Sequence, residues 1–100
     1  MNKAPTIEEL SKAITDVCIE VRDILHSKNE AYGNSVADPF CVFFHSDAIE
    51  RIAVRADDKI SRIVRGKEAG EDTELDLIGY LMLKRAILKI RKEKEENEQR

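Results

Sequence analysis

The chain is predicted to be all-α: a three-helix chain forming an oligomeric helical bundle. Three observations point there. Apolar residues recur at helical spacing in three separate segments, and two of those segments open with a capping box. The last segment is apolar nearly all round, which a chain with so few helices cannot cover by itself.

The first helix opens at Pro5 behind the capping box Thr6-x-x-Glu9. Ile7, Leu10, Ile14, Val17, Cys18, Val21, Ile24 and Leu25 then follow at helical intervals. Gly33 sets its limit, so it should end between Lys28 and Ala31. Tyr32 to Asp47 breaks the pattern with Gly33, Asn34, Ser35 and Pro39, yet carries Phe40, Val42, Phe43 and Phe44. So long and apolar a connection reads as a lid or plug packed down by its own side chains.

A second helix is expected from Ser46 or Asp47, where Asp47-x-x-Glu50 is the capping box, to the natural stop at Gly66. Ile49, Ile52, Ala53, Ala56, Ile60, Ile63 and Val64 form its expected core face. After a short turn over Lys67 to Gly70, the third helix should begin near Asp72 or Thr73. It runs on into a charged tail at about residues 92–100. Residues 1–100 thus read as a single all-α domain. A homo-oligomer would complete a bundle of four or more helices.

Composition narrows the function classes. One hundred residues with five aromatics and no tryptophan leave aliphatic helix packing as the main source of stability. A chain of this length buries only about 60–70% of its unfolded surface. The net charge of −3 argues against generic nucleic-acid binding, which shows a strong basic excess. Cys18 and Cys41 lack metal-ligand spacing, and Cys18 reads as a small buried hydrophobe. Lys84, Arg85 and Lys89 interrupt the longest apolar stretch, so no membrane association is expected. Met-Asn-Lys-Ala-Pro-Thr at the start carries no signal-peptide pattern, and a cytoplasmic location is the expectation.

One residue stands out chemically. Asp76 shares a stripe of the apolar third helix with Leu83 and Ile87, with Tyr80 close by. A carboxylate in that setting is costly unless cations, a metal or hydrogen-bond donors meet it. Asp72, one turn earlier, can face the same point. Hard oxygen ligands at that spacing suit magnesium, and further ligands would come from Glu20, Asp23, Asp57 or Asp58, none of them compelled by spacing. Capping by Asp72 and an ion pair from Asp76 to Lys28 or an arginine is the plainer alternative.

On the second helix Arg51, Arg55, Asp58 and Arg62 project within about 60° of one another, with Lys59 at the flank. That stripe is either a solvated face of weak ion pairs or a cationic platform for phosphate. Lys28 continues the apolar stripe of the first helix, pointing an ammonium toward the bundle. Tyr32 can stack on a base, while Asn34 and Ser35 supply hydrogen-bonding groups. A helix end, with Lys28 near the negative pole and Gly33 as the stop, explains the same residues without a ligand.

Taken in order, Lys28…Tyr32-Gly33-Asn34-Ser35, Arg55-x-x-Asp58-Lys59-x-x-Arg62-Ile63 and Asp72-x-x-x-Asp76-x-x-Gly79-Tyr80 form a pattern. It resembles the small phage and bacterial nucleotide-modification-associated domains. These are similar in turn to the MazG-like all-α nucleotide pyrophosphohydrolases. The resemblance covers about residues 20–88 and rests on the order of three weak motifs. It implies an oligomeric bundle that binds nucleoside triphosphates through magnesium held by acidic pairs on two helices. Asp72 and Asp76 would stand in one pair, and Asp58, or Glu20 with Asp23, in the other. The spacing departs from the Glu-x-x-Glu and Glu-x-x-Asp pairs of those enzymes.

Two functional expectations follow. One is a nucleotide-binding, phage-like protein with magnesium-dependent hydrolysis of a nucleoside triphosphate. The other is a non-catalytic oligomer that sequesters a nucleotide or a cyclic nucleotide immune signal, an anti-defence role in a host cytoplasm. Lys28, Tyr32, Asn34, Arg55, Lys59 and Arg62 are the expected ligand contacts. Asp58, Asp72 and Asp76 are the expected metal ligands, and no catalytic residue is assigned.

Overall fold

The computed structural model describes residues 3–38, 40–67, 70 and 72–99. It contains α1 (Ile7–Ala31), α2 (Ala48–Arg65) and α3 (Thr73–Glu98), and no strand occurs among the described residues. The chain is all-α.

Local chemistry sets the boundaries. Thr6 Oγ1 accepts from the Glu9 amide at 3.0 Å, which satisfies one of the free donors at the start of α1. Asp47 caps α2 by accepting from Ile49, and Asp72 caps α3 by accepting from Leu75 at 3.0 Å. Gly66 ends α2 in the left-handed region at φ 66°, and the Lys67 amide then reaches back to the Arg62 carbonyl. After α1, both Gly33 and Asn34 are left-handed, and the Asn34 carbonyl collects the amides of Ala37 and Asp38. Pro39, Glu68 and Ala69, expected as loop residues, lie outside the described residues.

α2 and α3 pack closely and run antiparallel. Lys59, late in α2, meets Asp76 at the start of α3, and Asp47, ahead of α2, meets Arg91 far along α3. Small residues allow the close approach: Ala48 and Ala56 are buried beside Ile52 on α2, and Thr73 is buried at the start of α3. α1 leans on α3 and makes no close backbone approach to α2. Its seat is Gly79, where an added Cβ would come within 3.2 Å of Leu25 Cδ2. The result is a wedge open between α1 and α2.

Several expectations need correcting. With only one close neighbour, α2 leaves Ala53, Ile60, Ile63 and Val64 of its expected core face exposed. Its flank turns inward instead, and the Lys59 side chain is only 13% exposed. Cys18 is exposed rather than buried, because among the described residues α1 approaches α3 at few points and α2 at none. The loop is neither lid nor plug at its aromatic end: Phe40, Phe43 and Phe44 all project outward. No described helix is long and apolar enough to cross a membrane.

Candidate functional site

The wedge holds a cavity of about 430 Å³, formed by the last turns of α1, the first half of α2 and the first half of α3. That volume lies in the range of small-molecule sites. Val21 and Ile52, both buried, lie deepest in an apolar wall completed by Ile24, Leu25, Leu75 and Leu83. Two rings, Tyr32 and Tyr80, border the same space. Tyr32 is 65% exposed and so stands at the mouth.

Cations dominate the polar lining. Lys28, Arg51 and Arg55 face a single carboxylate, Asp76, with Asn29 and Ser35 as neutral hydrogen-bonding groups. The cavity is therefore locally positive in a chain whose net charge is −3. Arginine forks beside aromatic rings suit flat, anionic groups.

Asp76 is half-covered and met by two ammonium groups. Lys59 Nζ lies 3.3 Å from Oδ2 and Lys28 Nζ 3.8 Å from Oδ1. The carboxylate thus ties α3 to both α1 and α2 at the edge of the cavity, which accounts for an acid on this apolar helix. Arg51 is anchored differently. Its Nη2 donates to the Phe44 carbonyl at 2.7 Å and to Cys41 Sγ at 3.1 Å. Its Nε is buried without a hydrogen-bond partner.

Of the expected ligand contacts, the cavity gathers Lys28, Tyr32 and Arg55. Lys59 contributes through its pair with Asp76 and does not line the space. Arg62 lies one turn beyond and pairs with Asp58 at 3.2 Å along α2. Asn34 shapes the left-handed turn after α1 and stays outside the cavity.

The expected metal set is not assembled. Asp58 engages Arg62, Asp72 caps α3, and Asp76 carries two lysines. No group of three or more acidic, histidine or cysteine side chains converges among the described residues. Three ligands from Asp58, Asp72 and Asp76 therefore do not fit one magnesium ion in this arrangement.

Arg51, Asn29 and Tyr80 also line the cavity, though none was among the expected ligand contacts. Arg51 was visible, four residues before Arg55 on the same stripe, but the inward turn of that stripe was not. Comparison of the chain with protein families, curated proteins and solved structures found no match.

Proposed function

We propose that the wedge between α1 and α2 is a nucleotide-binding site. The observation that carries this reading is the convergence of Lys28, Arg55, Tyr32 and Tyr80 on one apolar-walled cavity. Phosphate oxygens go to Lys28 and the Arg55 fork, and the base goes to the apolar wall between the tyrosines. Asp76 is a counter-ion that holds two lysines in place. The motif order that resembles nucleotide-handling domains agrees with this assignment.

Isothermal titration of the chain with a panel of nucleoside mono- and triphosphates, with magnesium or with EDTA, tests the proposal. At least one nucleotide is expected to bind with Kd below about 100 µM. Lys28→Ala/Arg55→Ala is expected to weaken it at least ~10-fold, as befits loss of charge-assisted contacts. Release of pyrophosphate, followed in the same samples, separates turnover from retention. Indifference of the wild-type chain to the whole panel overturns the site.

A further inference from the structure

Arg51 serves two places at once. One turn before Arg55 on the same face of α2, it lines the cavity together with Ser35 and Val36 of the loop after α1. The same guanidinium grips that loop further on, where Nη2 donates to the Phe44 carbonyl at 2.7 Å and to Cys41 Sγ at 3.1 Å. Neither Cys41 nor Phe44 belongs to the cavity lining. Arg51 thus reaches from the cavity to a stretch of loop outside it.

On the nucleotide reading of the cavity, we propose that Arg51 is a third cationic contact for the bound phosphate, and that this contact couples occupancy of the cavity to order in the loop. Three features of Arg51 support this. Nη2 is spent on the loop, yet a guanidinium carries five donors. Its loop acceptors are a carbonyl and a sulfur rather than a carboxylate, and Nε is buried without a hydrogen-bond partner. An anionic oxygen on the cavity side supplies the opposite charge that the loop does not. Arg51 and Arg55 also rise from α2 about 6 Å apart along its axis, close enough for both to reach one phosphate group or two adjoining ones.

The coupling is positive. Ser35 and Val36 form part of the cavity wall, so a ligand makes contacts with the strapped loop that it loses when the loop is released. A ligand shifts a chain toward the state it binds better. By linkage, loosening the loop weakens the nucleotide to the same degree.

Thiol labelling beside calorimetry tests this on the full chain. Cys41 reports on the loop, and the exposed Cys18 of α1 is the internal control, the two read separately by peptide mass. Nucleoside mono- and triphosphates are added singly at about 1 mM, ~10 times the Kd expected above. A nucleotide that gives binding heat should slow Cys41 at least ~5-fold and leave Cys18 within ~2-fold of its free rate. Arg51→Met should bind that nucleotide at least ~5-fold more weakly, and at matched saturation it should leave Cys41 unprotected. Binding heat with an unchanged Cys41 rate overturns the coupling while the nucleotide site stands, and this comparison needs no variant. Undiminished affinity in Arg51→Met overturns the contact. Absence of heat from every nucleotide overturns the site, and the coupling with it.

Discussion

Lys59 Nζ sits 3.3 Å from Asp76 Oδ2, and the lysine is the more deeply covered of the two, with 13% of its side chain exposed against 28% for the aspartate. Removing the carboxylate therefore strands a covered ammonium. Asp76→Asn is predicted to destabilise the chain by about 2 kcal/mol, below the range for a fully dry pair because water still reaches the carboxylate. Urea unfolding measures this, and Lys59→Met in the same background should recover part of the loss. Nucleotide affinity should fall by no more than about 10-fold, since Asp76 acts on the ligand only through the lysine it positions. A loss of several orders of magnitude would instead mark it as a metal ligand.

Gly79 is the seat of α1. The 3.2 Å approach of Leu25 Cδ2 leaves no room for a branched side chain. Gly79→Val is predicted to overpack the joint, at about 1–3 kcal/mol. The displaced element is α1, which has no close contact with α2 to hold it. Amide exchange in residues 21–31 should therefore accelerate before that of α2, and nucleotide affinity should fall with it. Unchanged exchange along α1 would contradict this joint.

Asp47 joins the start of α2 to the far part of α3. Arg91 donates to Oδ1 at 2.5 Å and to Oδ2 at 3.2 Å, while Oδ2 also accepts from the Ile49 amide. Hydrogen bonding from Arg91, ahead of the Ile49 amide, holds the Asp47 carboxyl below its ordinary value of 3.8. A depressed folded-state value stabilises the fold above the unfolded value, and that contribution is lost as pH falls through the folded one. Carbon-detected titration of Asp47 should show a low midpoint that Arg91→Ala returns toward 3.8. The melting difference between wild type and Arg91→Ala should shrink as pH drops below that value.

Arg51 straps the loop to α2 through Phe44 and Cys41. Arg51→Met is predicted to free this segment while leaving α2 helical. Cys41 should then react with a thiol reagent at least ~5-fold faster, as for a residue released from a locally stable unit. An unaltered rate would show that other contacts hold the loop.

Much of the local architecture was legible because it is written within four or five residues. Thr6, Asp47 and Asp72 at helix starts and Gly66 at a helix end each act on their own neighbours. Periodicity alone located the three helices. It placed Ile52 and Ala56 on the inward face of α2 but did not show that face turning toward Arg51, Arg55 and Lys59, whose charged ends meet the cavity and Asp76. The phenylalanines of the loop were equally opaque, since apolar character does not say whether a surface exists to receive them. At the site, Lys28, Tyr32, Arg55 and Asp76 were readable as misplaced or clustered chemistry. The separation of Asp58 and Asp72 from Asp76 was not, because capping and pairing along one helix compete with any shared ligand.

The central claim is that the wedge between α1 and α2 receives a nucleotide, and amide shift mapping of the labelled chain during a nucleotide titration tests it most directly. Saturable shifts concentrated at Lys28, Tyr32, Arg55, Gly79 and Tyr80 are predicted. Shifts gathered around Arg62 or Arg91, or none at millimolar nucleotide, would contradict it.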